Sequence, residues 1–352
     1  MNEESSVTPR PAPQELLPWA LSVLGETLPA ALPALSPVAG DASARRYFRF
    51  TRRGCSYIAV DSPPASQKNA EFLRVAKLLA AAGVTVPELF GADLELGFML
   101  LEDLGDRTLL PVLDIASVHG HYRRAFDVLE KMAVVPSENI GLGSYDRALL
   151  SEELSRFTEW FVQGLLHHEL VATEMALIDA LSTRLIDSAL QQPRVLVHRD
   201  FHSRNLMLVG QDGLAVIDFQ DAVVGPITYD LVSLLRDCYI QWPASSVLAW
   251  ALAYRDRLRA RGLLAAVDEV QFMRWFDWMG LQRHLKVLGT FARLYLRDGK
   301  AGYLADLPLV IHYVMETLDK YAPQEPLFAE FGAWFHQRLQ PLVAQQAWSA
   351  AR

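Results

Sequence analysis

Val195-Leu196-Val197-His198-Arg199-Asp200-Phe201-His202-Ser203-Arg204-Asn205, followed thirteen residues after Asn205 by Asp218 in Val216-Ile217-Asp218-Phe219, decides the reading of this chain. Val195 to Val197 and Leu214 to Ile217 are short apolar runs rich in β-branched residues, the pattern of buried strands. The first strand delivers a carboxylate, Asp200, into a loop, and Asn205 lies five residues on. The second strand presents Asp218. Any one of these residues alone would ordinarily cap a helix or shape a turn. Two strand contexts, a five-residue gap and Ile-Asp-Phe together form a multi-part pattern that chance seldom produces.

Outward from this segment, the chain changes texture twice. Gln14 to Leu24 has helical spacing, and Tyr47 to Phe50 with Ser56 to Val60 alternates around Arg53-Gly54, which predicts a hairpin. From Asn69 to Ala82 the apolar residues Phe72, Val75, Ala76 and Leu79 recur at helical period, and Gly83 closes the helix. Strands follow around Glu88 to Gly91 and Gly97 to Leu101, so a β-β-α-β-β lobe ends near Leu104-Gly105. Beyond it the periods are helical, as in Leu149 to Leu166 and Glu174 to Ala189, and the last hundred residues read as all-helical. The expected class is α+β and bilobed: residues 1–104 form a small sheet lobe with one main helix, and residues 105–352 a larger, mostly helical lobe.

Composition excludes several partners. The 352 residues are 51% hydrophobic and 21% charged, and a net charge of -8 repels nucleic-acid phosphates. No run approaches 18 uninterrupted apolar residues, and Glu3, Glu4 and prolines open the chain without a basic, then apolar, leader. A cytoplasmic protein with no membrane partner is expected. Cys55 and Cys238 stand far apart, without metal-ligand spacing, and read as structural thiols.

The strand-loop-strand pattern suits in-line phosphoryl transfer, in which a protein mainly positions groups and neutralises charge. Asp200 would act as catalytic base on an acceptor hydroxyl. Asn205 and Asp218 would give hard oxygen ligands to magnesium on the phosphates of ATP. The arrangement matches HRDxxxxN followed by DF(G) in kinases. Gln220 stands where protein kinases have glycine, which disfavours a protein kinase with a flipping activation segment.

On these residues the chain resembles the aminoglycoside phosphotransferase family, of protein-kinase-like fold, over about residues 36 to 320. Within it the chain is similar to bacterial anomeric 1-kinases of N-acetylmuramate and N-acetylglucosamine in peptidoglycan recycling. That likeness rests on Gly40-Asp41-Ala42-Ser43 with Arg45-Arg46-Tyr47-Phe48-Arg49, on Leu100-Leu101-Glu102-Asp103-Leu104-Gly105 and on Gln282-Arg283-His284-Leu285-Lys286. It implies ATP, magnesium and a small sugar as ligands, with residues 1–104 binding the nucleotide. The alternatives are a kinase of an aminoglycoside, choline or another amine alcohol, and a nucleotide-binding pseudokinase scaffold.

Gly40, Asp41, Ala42 and Ser43 with Arg45, Arg46 and Arg49 read as a phosphate flap of small residues and cations; an ordinary hairpin with solvated arginines is the bland alternative. Kinases of this fold place a lysine on the third strand, but Tyr57-Ile58-Ala59-Val60-Asp61 offers Asp61 there. Arg45, Arg46, Arg49 or Lys68 would have to replace it, and Glu71 is the nearest candidate for a helix ion-pair glutamate. The connector at Glu102 and Leu104 offers backbone to an adenine edge. His198 and Asp230 are candidates to support the catalytic loop, although an N-cap explains Asp230 equally well. His202, Arg204, Gln282, Arg283 and Lys286 are candidate acceptor contacts, against the alternative of a solvated helix face with tryptophans in the core.

Overall fold

The computed structural model describes residues 11–28, 31–38, 44–138 and 140–350. The chain divides into two compact units, Met1–Arg107 with Met207–Asp221, and Thr108–Leu206 with Ala222–Arg352. The expected single cut between residues 104 and 105 therefore misses a segment that returns to the first unit. Gly40, Asp41, Ala42 and Ser43 lie outside the described residues.

The first unit begins with α1 (Leu16–Val23) and an antiparallel sheet of order β1-β2-β3-β5-β4. Its strands are β1 (Ser36–Val38), β2 (Arg46–Arg52), β3 (Cys55–Asp61), β4 (Leu89–Asp93) and β5 (Phe98–Glu102). Arg52 faces Cys55 across a two-residue turn, with φ +50° at Arg53 and +80° at Gly54. Positive φ at both central residues matches the right-handed twist of the flanking strands. Leu16, Leu17, Ala20 and Leu21 pack on Phe48, Phe50, Ala59, Phe98 and Leu100. Burying each large side chain there contributes roughly 1.5 to 3 kcal/mol.

Helix α2 (Asn69–Ala81) buries Phe72, Val75, Ala76 and Leu79, and Gly83 follows with φ +75°. The Phe72 ring stacks on Phe219 with centroids 4.8 Å apart. Phe219 belongs to the returning segment, which carries the hairpin β7 (Leu206–Val209) and β8 (Gly213–Val216). Backbone bonds hold it: Leu208 N donates to Arg107 O at 2.8 Å, and Val216 N to Thr85 O at 2.9 Å. These partners are about a hundred residues away in sequence, so no local pattern announces them.

In the second unit β6 (Arg194–Val197) pairs antiparallel with β9 (Val223–Pro226). The rest is helical: α3 (Val118–Ala133), α4 (Arg147–Arg156), α5 (Ala172–Leu190), α6 (Tyr229–Leu235), α7 (Ala244–Ala260), α8 (Glu269–Asp298), α9 (Leu307–Tyr321), α10 (Pro326–Trp334) and α11 (Gln340–Ala344). The 30-residue α8 packs against α4, α5, α6, α7 and α9. Asp268 caps its start by accepting from Gln271 N at 2.8 Å, and Gly299 ends it with φ +69°. The helix expected over Leu149 to Leu166 is α4 followed by a wider π-wound stretch, Phe157–Leu165. The change in winding coincides with a close crossing by α8, since a Cβ at Gly289 would collide with the backbone of Arg156 and Phe157.

Candidate active site

The loop from His198 to Asn205 leaves β6 through an unusual backbone. Arg199 has φ +78°, a left-handed conformation that costs a non-glycine residue about 1 kcal/mol or more. Two buried carboxylates hold it there. Asp230, at the start of α6, accepts from His198 N at 2.6 Å and from Arg199 N at 3.0 Å. Glu153 of α4, 0% exposed, pairs with the Arg199 guanidinium. Within the loop, Asp200 N donates to His198 Nδ1 at 3.2 Å, and Asn205 Nδ2 donates to Asp200 O at 3.0 Å. Ser203 donates from N (2.9 Å) and from its hydroxyl (2.5 Å) to the buried Asp237 Oδ2. The loop is thus tied down at both ends and in its middle.

These contacts set the charge of Asp200. Burial pushes its carboxyl up, but Lys286, His202, Arg199 and His198 together outweigh burial and hold it at about 2. Asp200 is therefore ionised throughout the neutral range. The supporting carboxyl of Asp230 behaves oppositely: burial, aided by the nearby Asp200 charge, pushes it up to about 7 against the pull of its two backbone donors and Arg283.

The first unit presents its own cluster. Asp218, just beyond β8, has φ +63°, and its Oδ1 accepts from Gln220 Nε2 at 2.8 Å. Gln220 Oε1 accepts from Arg45 Nη1 at 3.1 Å. Arg45, only 3% exposed, also donates to Ser62 Oγ at 2.9 Å and lies over the Phe72 ring at 5.0 Å. Asn69 of α2 is also beside Arg45, with its Oδ1 3.5 Å from Arg45 Nη2. A family model described as "Phosphotransferase enzyme family" matches residues 34–264. The chain belongs to that family.

Its relatives span nearly the whole molecule. A Pseudomonas putida protein named N-acetylmuramate/N-acetylglucosamine kinase is 41% identical over 299 residues, covering 85% of this chain and 86% of that one. A protein of the same name from Neisseria meningitidis is 42% identical over 300 residues, covering 84% and 89%. Among solved structures, a choline kinase from Streptococcus pneumoniae superposes with a TM-score of 0.60 at 15% identity, over 86% of this chain and 98% of that one. That likeness speaks for the protein-kinase-like fold alone.

Several expected site residues of this phosphotransferase take different places. Arg46 ion-pairs with Asp61, its cross-strand neighbour, so the carboxylate found at the lysine position is engaged by an arginine. Arg49 forms bonds to Asp103 (2.6 and 2.8 Å) and Asp106 (2.9 Å). Lys68 pairs with Asp221 at 2.6 Å. Arg45 is linked to Asp218 through Gln220. Glu102 ends β5, and the stretch Glu102–Arg107 lines an open hollow of about 280 Å³ with Leu208, Val209 and Gly210.

The stretch Gln282 to Lys286 does not form a solvated face and lies in the core: Gln282 and His284 are 0% exposed, Arg283 3% and Lys286 7%. Lys286 Nζ donates to Tyr229 Oη at 3.0 Å and pairs with Glu153 at 3.1 Å. Arg283 Nη1 lies 3.4 Å from Cys238 Sγ. Charged side chains survive there because carboxylates and hydroxyls from other helices meet them. His202 and Arg204 remain half-buried in the loop with Asp200.

Sequence reasoning missed Glu153, Asp237 and Gln220's bridge. Ser-Glu-Glu-Leu in a helix and Arg-Asp-Cys after one carry no local mark of their partners. Among the described residues no group of three or more His, Cys, Asp or Glu is arranged to hold a metal. Asp218 and Asn205, each within its own unit, carry oxygen donors of the kind that magnesium takes. No helix among the described residues is long and apolar enough to cross a membrane.

Proposed function

We propose that this chain transfers the γ-phosphoryl group of ATP to the anomeric hydroxyl of N-acetylmuramate, N-acetylglucosamine or both, in the cytoplasm, within peptidoglycan recycling. The carrying observation is the braced loop that keeps Asp200 ionised. The sugar is supported by relatives bearing that name over more than four-fifths of the chain. A cationic acceptor such as choline fits less well, because the loop itself presents Arg204 and His202.

Asp200 receives and orients the acceptor hydroxyl by hydrogen bonding. With its carboxyl at about 2 it is a weak base, suited to accept the proton late, as charge leaves the attacking oxygen. Asn205 and Asp218 supply oxygen ligands to magnesium, which when bound neutralises phosphate charge. Arg45 serves the phosphates in place of a strand lysine, and backbone from Glu102 to Leu104 receives the adenine edge. Phosphate contacts from Gly40, Asp41, Ala42 and Ser43 complete this reading. His198 and Asp230 hold the loop.

The test is a panel of sugars and amine alcohols incubated with magnesium and ATP, with the new phosphate located by phosphorus–carbon coupling in NMR. Phosphate on C1 of an N-acetylated amino sugar is the expected product. Turnover confined to amine alcohols, or no turnover at all, would refute the proposal.

A further inference from the structure

Tyr239 and Arg204 form a stacked pair in the unit that carries Asp200. The Arg204 guanidinium carbon lies 3.6 Å from the centre of the Tyr239 ring, in face-to-face stacking range. Tyr239 is itself backed by Phe291 (centroids 6.3 Å apart, 26° between planes) and met edge-on by His202 at 5.4 Å. One carboxylate ties ring and loop together. Asp237 accepts from Tyr239 N at 3.1 Å with Oδ1 and from Ser203, Arg204's neighbour, with Oδ2. The platform and the arginine on it thus share an anchor that is 0% exposed.

Arg204 differs from Arg199, Lys286, Arg236 and Arg283 of its unit. Arg199 and Lys286 are engaged by Glu153, Arg236 by Asp277, and Arg283 is packed on Cys238. Among the described residues Arg204 makes no hydrogen bond and no ion pair; its contact is the ring face. Stacking holds the plane of a guanidinium while leaving its edge N–H groups for a planar anion, which a carboxylate meets bidentately. A platform that restrains the side chain also lowers the entropy cost of that contact.

We propose that Arg204, held by Tyr239, recognises a carboxylate on the acceptor, making this pair a specificity determinant that favours acidic over neutral amino sugars. The inference rests on the reaction proposed above. The two candidate acceptors differ by such a group: N-acetylmuramate bears a lactyl ether carboxylate and N-acetylglucosamine does not. Arg204 contacts substrate, and Tyr239 is its positioning residue.

The experiment measures kcat and KM for both sugars, and KM for ATP, in wild type, Arg204→Met, Arg204→Lys, Tyr239→Leu and Tyr239→Phe, each checked for wild-type melting. Arg204→Met is expected to lower the ratio of kcat/KM for N-acetylmuramate to that for N-acetylglucosamine by about tenfold or more, through KM. Arg204→Lys, which keeps charge without the planar fork, loses most of the same ratio. Tyr239→Leu lowers the ratio in the same direction, and Tyr239→Phe, which keeps the ring, retains it. Equal losses on both sugars with a raised ATP KM would assign Arg204 to phosphate and overturn the inference. An unchanged ratio in Arg204→Met would overturn it too. A wild type active on both sugars, with variants failing in these ways, refutes the carboxylate contact alone. A wild type inactive on both refutes the reaction and this inference with it.

Discussion

Gln220 Nε2 donates to Asp218 Oδ1 at 2.8 Å, so the residue standing in place of a kinase glycine fixes the carboxylate beside it. Because Gln220 Oε1 also accepts from Arg45 at 3.1 Å, one amide joins the proposed metal ligand to the proposed phosphate cation. Losing both bonds in Gln220→Ala leaves Asp218 with more rotameric freedom. The expected outcome is a rise of about three- to tenfold in ATP KM and in the magnesium concentration needed for half-maximal rate. Magnesium titrations at fixed ATP read this directly, and a variant that titrates like wild type would reduce the bridge to packing.

Arg45, Arg46 and Arg49 separate on structure where the sequence left them equal. Arg45 is buried among Ser62, Asn69, Phe72 and Gln220, whereas Arg46 and Arg49 are matched to Asp61, Asp103 and Asp106. Arg45→Ala is expected to lose about ten- to a hundredfold in kcat/KM for ATP. Arg46→Ala and Arg49→Ala should lose little more than the fraction of a kcal/mol typical of partly exposed pairs, seen as a small drop in melting temperature. Steady-state kinetics on the three variants decides it: equal losses would show that the ion pairs open during turnover.

Asp200→Asn removes the group that receives the acceptor hydroxyl and is expected to lower kcat by about 10² to 10⁴. Wild-type melting would show the loop still held by Asp230 and Asp237. Because the Asp200 carboxyl is held at about 2, it stays ionised from pH 5 upward, and the wild-type rate should show no acid limb from this residue in that range. An acid limb near pH 6 that moves to higher pH in a Lys286→Met variant would belong to Asp200 and contradict that electrostatic picture.

What was legible in the sequence was local. Alternation on either side of Arg53-Gly54 and the helical period from Phe72 to Leu79 reflect contacts that each element makes along its own length. The loop from His198 to Asn205 was readable for the same reason, since Asn205 and Asp200 meet five residues apart. What failed depends on distant partners. Val223–Pro226, to which the sequence pattern assigns no element, is a strand because Arg194–Val197 supplies its ladder. Gln-Arg-His-Leu-Lys looks like a solvated face, yet Glu153 and Tyr229 make a core position tolerable for Lys286. No window of sequence contains both halves of such a pair.

Glu153 gives that buried cluster a pH signature. It is 0% exposed, accepts from the Tyr145 hydroxyl and pairs with Arg199 and Lys286. Burial pushes its carboxyl up, but Lys286, Arg199 and Tyr145 more than offset this and hold it at about 2, below its ordinary 4.5. A carboxyl lowered by folding stabilises the fold above its unfolded value, so this contribution is full above pH 4.5 and is lost as pH falls through about 2. The shift corresponds to about 3 kcal/mol. In Glu153→Gln two buried cations lose their counter-charge, and a loss of about 3 to 5 kcal/mol at neutral pH is expected. Urea unfolding at stepped pH should show the gap between wild type and variant narrowing from pH 4.5 downward, as wild-type Glu153 takes up its proton. A gap that stays constant over that window would mean that Glu153 is protonated in the fold. The Arg199 backbone would then rest on its bond to Asp230, and Arg199→Ala would lose the side chain's packing on Tyr145 without an ion pair to Glu153.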